Sequence, residues 1–330
     1  MRFIITALFV LVVAAATAQQ LEYQVQFHGI GDNREFAQSK KAYSQTILGE
    51  RTSVEIGTTL DEKHRLRIGL SHLFEFGSDL DERKPNLTAY YRYADEKNTF
   101  YFGAFPRMEL LHFPLAMLTD TLNYFRPNVE GMYGKHSWDW GHQSGFVDWT
   151  SRQTDIRRET FMAGFSGEMR HRDFFAENYL LLFHYAETAI ENPDEHISDN
   201  LGLALYAGMD LEKLLPLQRA YVKAGILGSS FRERGVTDGY LTGLSFSGEF
   251  YGERGPFALR ATLHQGEGHR FMNGDRFYTA DSYLRTDVVW HFLNSKHVQG
   301  SFNLSFHLVD GKDLDQSQQL SLVYRFGNAE

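Results

Sequence analysis

The chain offers few combinations of side chains whose spacing matches a known catalytic motif. It has no G-x-S-x-G turn, no H-E-x-x-H helix and no glycine-rich phosphate loop, and its lack of cysteine excludes thiolate and disulfide chemistry. His142 with Ser144 and His112 with Asp120 are pairs in which a histidine could move a proton. Spacing alone is weak evidence for such a site, because catalytic sites are recognised by their geometry. With no complete motif in the sequence, we expect no enzymatic activity, no cofactor and no metal site.

The segment 107–126 is long and apolar but also carries charges, and it is the first candidate for a site that selects solutes. It is too apolar for a disordered loop, and long loops in compact folds are usually functional. We predict that it folds into the interior and narrows a passage, since rings of charged groups select solutes. The alternative is an outer lid packed on itself. The residues that would line or brace the passage are Arg107, Glu109, His112, Asp120 and Arg126.

A second cluster combines aromatic and charged residues, because three of the four tryptophans lie between positions 138 and 149. Aromatic faces beside guanidinium groups can hold a sugar ring or an anion. Aromatic residues also anchor proteins at membrane interfaces, and that interpretation is favoured. The members of this cluster that we add to the candidate passage are Asp148, Trp149, Arg152 and Arg157.

The elements that must position these residues follow a period of two. From Val298 to Leu308 the even positions are apolar or glycine and the odd positions are polar, and similar alternation recurs in 257–263, 284–292 and 320–326. Such alternation is typical of strands whose two faces meet different solvents. The pattern predicts about sixteen strands, with 14 or 18 as alternatives, and the region 135–157 is where it is weakest.

The connections between these strands alternate between long and short, and the long ones follow odd-numbered strands. Outer-membrane barrels have short periplasmic turns and longer outer loops, so this order predicts that both chain ends are periplasmic. The mean hydropathy of −0.38 is compatible with a barrel, whose apolar signal is hidden in alternation. The 27 Phe and 17 Tyr fit aromatic girdles at the membrane interfaces.

The N-terminus has the layout of a secretory signal peptide. Arg2 precedes an apolar run over 3–15, and Ala16 to Ala18 form a small-x-small cleavage site. We therefore predict a signal peptide over 1–18 and a single domain over 19–330. The alternative is a membrane-anchoring helix, for which the run is too short. The net charge of −9 argues against a nucleic-acid partner.

The signal peptide, the alternating strands, the order of the loops and the aromatic-rich final strand, Leu320 to Phe326, together resemble the general porins of Gram-negative outer membranes. The chain departs from many of these barrels because Gly327 to Glu330 follow the last aromatic residue. The resemblance implies an all-β, closed antiparallel transmembrane barrel. It also implies that the loop after the fifth strand, here 107–126, folds inward.

The leading hypothesis is a channel for the passive passage of small hydrophilic solutes, such as saccharides or anions. The expected partners are membrane lipid and lipopolysaccharide, and the sequence leaves open whether the chain forms an oligomer. One alternative is a non-conducting barrel that acts as a structural or assembly partner. The other is an outer-membrane barrel hydrolase.

Overall fold

The chain forms a closed barrel of sixteen antiparallel strands in a computed structural model that describes residues 20–79, 82–190 and 192–328. Each strand pairs with its neighbours in sequence, and the first pairs with the last. The predicted fold is therefore confirmed, and the predicted signal peptide lies outside the described residues. The strands are β1 (Gln20–Glu35), β2 (Gln45–Leu60), β3 (His64–Glu75), β4 (Asn86–Ala94), β5 (Asn98–Pro106), β6 (Asn128–Trp138), β7 (Gly141–Ser151), β8 (Thr160–His171), β9 (Phe174–Tyr185), β10 (Ser198–Asp210), β11 (Arg219–Glu233), β12 (Leu241–Arg254), β13 (Phe257–Gly266), β14 (Ser282–Asn294), β15 (Val298–Val309) and β16 (Asp313–Gly327).

Side chains alternate between the lumen and the outer surface along each strand. In β14, Val288 and Trp290 are exposed on the outside, whereas Arg285 and Asp287 are buried on the inside. Successive side chains of a strand point to opposite faces, so an apolar outer wall and a polar inner wall need only this alternation. The outer wall is therefore the surface that meets lipid.

The two ends of the barrel differ in the length of their connections. One end, called the turn end below, carries the start of β1, the end of β16 and the turns 61–63, 95–97, 139–140, 172–173, 211–218, 255–256 and 295–297. The other end, called the loop end, carries the connections 36–44, 76–85, 107–127, 152–159, 186–197, 234–240, 267–281 and 310–312.

The connection 310–312 is an exception at the loop end, because it is short. Asp310 and Gly311 both have positive φ, as a tight hairpin turn requires. The region 135–157, where the alternation is weakest, contains the end of β6 and the whole of β7. These two strands form an ordinary hairpin, joined by two residues.

Two loops fill the middle of the barrel. The loop 107–127 includes the short helix α1 (Leu122–Phe125), and it meets the loop 267–281 through hydrogen bonds from Thr119 N to Asn273 O (2.7 Å) and from Asp275 N to Leu115 O (2.9 Å). Apolar side chains of both loops pack with apolar residues of the wall, and Met117 and Phe277 are almost completely buried. No helix among the described residues is long and apolar enough to cross a membrane.

Candidate functional site

The outer wall at the loop end carries a hydrogen-bonded pair of ionisable residues. His184 of β9 lies opposite Asp199 of β10. Their neighbours along each strand, Phe183 and the buried Ser198 and Asn200, face the interior. Because side chains alternate, His184 and Asp199 point outward.

The two side chains form a hydrogen-bonded pair. His184 Nδ1 donates to Asp199 Oδ1 at 2.7 Å, and Arg234 donates to Asp199 Oδ2 through Nε at 3.0 Å and Nη2 at 2.8 Å. A carboxylate can only accept hydrogen bonds, so Nδ1 carries a proton, and in the neutral form of the ring the lone pair is on Nε2. Nε2 has no hydrogen-bond partner among the described residues. This arrangement orients an imidazole to accept a proton.

Aromatic rings flank the histidine along the barrel surface. The Phe161 ring lies 5.2 Å from the His184 ring, and it stacks on Trp149 at 5.1 Å and 15°. Trp149 and Phe161 are opposite each other in β7 and β8, as Phe161 and His184 are in β8 and β9. Outward-facing aromatic residues are typical of the level at which lipid headgroups meet acyl chains.

Cationic residues flank the carboxylate on its other side. Arg232 of β11 lies opposite Asp199, and its guanidinium group stands 5.3 Å from the centre of the Tyr240 ring. Of these two arginines, Arg234 alone forms an ion pair with Asp199, and Arg232 occupies the facing position on the next strand. Guanidinium groups suit phosphate and carboxylate oxygens. We call the set Trp149, Phe161, His184, Asp199, Arg232 and Arg234 the outward row.

The chemistry that the outward row supports is general-base activation of water. No serine or threonine hydroxyl donates a hydrogen bond to His184 among the residues that the structure describes. A neutral imidazole with a free nitrogen and a carboxylate behind it can take a proton from water and hold the resulting charge.

Histidines inside the barrel are arranged differently. His269 contacts Ser229 Oγ through Nδ1 at 2.8 Å and Ser245 Oγ through Nε2 at 2.7 Å, so both ring nitrogens are occupied. Burial, assisted by the nearby His264, lowers the pKa of His269 to about 4. His307 is likewise held by two hydroxyls. These histidines therefore stabilise loop and wall contacts.

Arg107 and Asp148 brace the loop 107–127. They form a buried ion pair, and Arg107 also donates to the carbonyls of Arg126 (Nε, 3.0 Å) and Asn128 (Nη2, 3.1 Å). With a side chain only 1% exposed, Arg107 does not line a passage. It fixes the two ends of the loop against the wall.

Three other predicted residues of this loop do reach cavities of the lumen. Glu109 accepts a hydrogen bond from Arg325 of β16 at 3.0 Å, and Asp120 accepts one from Gln319 at 3.0 Å. His112 lines a cavity of about 570 Å³. The loop thus contacts β16, which is separated from β5 by the four strands β1–β4.

Four predicted residues lie away from the lumen, which corrects their placement. Trp149 occupies an outward position of β7, because its neighbour Asp148 faces inward. Arg126 is exposed and donates to the carbonyl of Thr150 at 2.9 Å. Arg152 and Arg157 are exposed on the loop 152–159. Being on the outer face or in an exposed loop, none of them lines a passage.

The two proton-transfer pairs suggested by spacing are not formed. Ser144 Oγ lies 2.9 Å from Ser166 Oγ and has no bond to His142. His112 and Asp120 share no hydrogen bond in the described part of the chain. The sequence did contain a signal for the outward row, namely a histidine and an aspartate in the lipid-facing phase of their strands, but it was missed.

The fold is that of outer-membrane porins. A loop-deletion mutant of OmpT, an outer-membrane protein of Vibrio cholerae, superposes with a TM-score of 0.58 at 9% identity, covering 94% of this chain and all of the other. An anion-selective porin from Comamonas acidovorans gives 0.54 at 10% identity over 93% and 99% of the two chains. OmpF of Salmonella typhi, in complex with daunomycin, gives 0.53 at 13% identity over 94% and 99%.

The sequence itself matches a different description. Residues 13–329 match the protein family described as lipid A 3'-O-deacylase-type. The chain belongs to this family. No curated protein matches the sequence. Because the family is one of enzymes, the expectation that the protein is not an enzyme is wrong.

Proposed function

We propose that the protein hydrolyses an ester-linked acyl chain of lipid A, with His184 as the general base. The observation that carries the proposal is the hydrogen bond between His184 and Asp199 on the lipid-facing wall. It supplies an oriented base where an acyl ester of a membrane lipid could reach it. Membership of the lipid A 3'-O-deacylase-type family supports the same reaction.

The proposal sets the orientation of the barrel. Lipid A lies in the outer leaflet, so the loop end, which carries the outward row, faces the exterior, and both termini face the periplasm. The general preference of outer-membrane barrels for long outer loops supports this orientation. Lipopolysaccharide is then the substrate as well as the surrounding lipid.

The reaction begins when His184 Nε2 takes a proton from a water molecule and the water oxygen forms a bond to the ester carbonyl carbon. Asp199 stabilises the imidazolium cation that results. The bond between the carbonyl carbon and the sugar oxygen then breaks, and the proton on Nε2 passes to that oxygen. The products are a free fatty acid and a sugar hydroxyl. Arg232 and Arg234 stand where they could hold anionic oxygens of the substrate.

The test is the variant His184→Gln, reconstituted with purified lipopolysaccharide and assayed by mass spectrometry of the lipid and by release of fatty acid. We expect wild-type protein to remove an acyl chain and the variant to lose activity by at least about 100-fold. His142→Gln, which changes a lumen-facing histidine, is the matched control and should retain activity. Wild-type activity that His184→Gln leaves intact would refute the assignment of the base.

Passive passage of small hydrophilic solutes is the second candidate function. The observation in its favour is a set of lumen cavities lined by polar and charged side chains, of about 570, 410 and 370 Å³. The packed loops 107–127 and 267–281 stand between these cavities and limit any continuous path. Single-channel conductance in planar bilayers tests this function, and a folded barrel without conductance would rule it out. His184→Gln should leave conductance unchanged, since His184 is outside the lumen.

A further inference from the structure

The outer wall at the turn end carries a second histidine whose ring is oriented by hydrogen bonds. His136 of β6 lies opposite Asn98 of β5. Its neighbour Lys135 lines a lumen cavity of about 300 Å³, whereas Met132 and Trp138, in the same phase as His136, are exposed on the outside. Side chains alternate along a strand, and directly opposite residues of neighbouring strands share a face, so His136 and Asn98 both point outward.

A chain of hydrogen bonds determines which nitrogen of this ring carries the proton. The Asn98 amide donates through Nδ2 to Asp95 Oδ1 at 3.1 Å and to Asp95 Oδ2 at 3.2 Å. Because a carboxylate only accepts, this contact fixes the orientation of the amide. Asn98 Oδ1 lies 2.7 Å from His136 Nδ1 and therefore accepts from it. Nδ1 carries a proton, and in the neutral form of the ring the lone pair is on Nε2.

Asp95, at the far end of this chain, is held by its own turn. It accepts hydrogen bonds from Tyr93 Oη (2.7 Å), Lys97 N (2.9 Å) and Asn98 N (2.7 Å). The Tyr93 hydroxyl and these backbone groups hold the pKa of the Asp95 carboxyl well below its usual range. A negative charge therefore stands behind Asn98. At the other end, His136 Nε2 has no hydrogen-bond partner within the described part of the chain.

Two exposed tryptophans lie beside the His136 ring. The ring centre of Trp138 is 4.6 Å from that of His136, and Trp138 stacks on Trp140 at 5.1 Å and 7°. Tryptophans at the rim of a barrel occupy the level where lipid headgroups meet acyl chains, and the acyl esters of a membrane lipid lie at that level. We call the set Asp95, Asn98, His136, Trp138 and Trp140 the turn-end row.

The two ends of the barrel meet different lipids. The orientation rests on the proposed function, which places the loop end in the outer leaflet with lipid A. The turn end then meets the inner leaflet, whose acyl esters belong to glycerophospholipids. We propose that the turn-end row is a second hydrolytic site, which cleaves an acyl ester of a glycerophospholipid with His136 as the general base.

The reaction needs only water as its second reactant. His136 Nε2 takes a proton from a water molecule while the water oxygen bonds to the acyl carbonyl carbon. Asn98 holds the imidazolium cation through Nδ1, and the charge of Asp95 stabilises that cation from behind the amide. The bond between the carbonyl carbon and the glycerol oxygen then breaks, and the proton on Nε2 passes to that oxygen. The products are a free fatty acid and a lysophospholipid.

Purified barrel in mixed micelles of phosphatidylethanolamine and detergent tests the proposal, because micelles reach both ends of the barrel and contain no lipid A. We expect the wild-type protein to release fatty acid and lysophospholipid, measured by mass spectrometry, and His136→Gln to lose this activity by at least about 100-fold. His64→Gln is the matched control and should retain it. His64 is also on the outer wall at the turn end, but its Nδ1 contacts the hydroxyl of Tyr91 at 2.7 Å.

Asn98 is a positioning residue, because it acts through the His136 ring. Asn98→Ala removes the acceptor for Nδ1 and should slow phospholipid hydrolysis by about tenfold. Asn98→Asp restores an acceptor at this position and should recover most of the activity. Heat-modifiable migration on gels verifies that each variant barrel is folded.

Two results would overturn the proposal directly, namely no phospholipid hydrolysis by the folded wild-type barrel, or equal rates in His136→Gln and His64→Gln. Loss of phospholipid hydrolysis in His184→Gln but not in His136→Gln would place both reactions at the outward row and would also refute the turn-end site. Lipid A deacylation should persist in His136→Gln, since the outward row uses other strands at the opposite end. Failure of this site is therefore distinguishable from failure of the proposed function.

Discussion

The outward row and the lumen cavity between the loop 107–127 and the inner faces of β1–β5 and β16 use the same kinds of side chain on opposite faces of one barrel. In the outward row, one carboxylate is shared by a histidine and an arginine, and the unused capacity is a lone pair on His184 Nε2. In this cavity Glu22 pairs with Arg65 and Arg67, and Glu109 of the loop pairs with Arg325, so these charged groups are used in ion pairs. The first arrangement suits proton transfer, and the second holds neighbouring strands and the loop together. A polar atom that has no partner in the protein therefore indicates function better than the residue types do.

Removing the carboxylate of the outward row should give the largest effect. Asp199→Asn cannot stabilise an imidazolium cation, so we expect lipid deacylation to fall by roughly 10²- to 10⁴-fold. Asp210→Asn is the control, because Asp210 is on the same strand and pairs with Arg170 at 2.8 Å. If Asp199→Asn deacylates lipid as fast as Asp210→Asn, the outward row is not catalytic.

Breaking the brace of the loop tests whether the two regions are independent. Arg107→Met leaves Asp148 buried without its partner, which should destabilise the docked loop 107–127 by about 3–5 kcal/mol. Hydrogen exchange of the loop measures this, with the exposed Arg126→Met as the control. We expect faster hydrogen exchange in the loop and unchanged deacylation. A parallel loss of deacylation would show that the lumen and the outer wall are coupled.

Acidification should loosen the other inner loop, 267–281. The pKa of buried His269 is lowered to about 4, so the folded protein binds a proton less readily than the unfolded chain, for which the usual value is 6.5. The contribution of His269 is complete above pH 6.5 and declines by roughly 3 kcal/mol as the pH falls to about 4. His264 is the other ionisable ring facing it.

The measurement is hydrogen exchange of residues 267–281 at several pH values, with wild-type protection divided by that of His269→Gln. The ratio removes the intrinsic pH dependence of exchange. A ratio that stays constant between pH 6.5 and 4 would show that His269 does not control the loop.

The smallest effect concerns the aromatic edge of the outward row. Trp149→Ala removes a stacked pair with Phe161 and should lower the free energy of unfolding by about 1 kcal/mol, measured by urea titration in lipid vesicles. Trp138, which stacks on Trp140 at the turn end, is the comparison. Both substitutions should cost similar stability, but only Trp149→Ala should also slow deacylation. Equal deacylation rates in the two variants would show that Trp149 does not contribute to the active site.

The sequence was sufficient to predict the barrel because strand alternation is a local property. The inward and outward phases of β14, for example, follow directly from the order of its residues. Contacts between distant strands could not be predicted in this way. The pairing of His184 with Asp199 depends on the register of β9 against β10, and the pairing of Arg325 with Glu109 spans more than 200 residues.

The roles of the candidate residues could not be predicted for the same reason, because these roles depend on contacts between distant parts of the chain. The sequence predicts Arg107 and Asp148 to be charged residues near a passage, and their burial in an ion pair follows only from three-dimensional packing. His184 was overlooked because it resembles other polar residues of its strand in type. Only its phase, set against that of Asp199, distinguishes it.

The apolar packing inside the barrel has a mechanical consequence. A wall of strands around water can bend when the bilayer presses on it, whereas close-packed interiors have low compressibility. Phe183, next to His184 in β9, packs against the apolar cluster formed by the inner loops and the wall. The packed interior thus supports the wall at His184. It resists deformation by the lateral pressure of the lipid and keeps the imidazole in position.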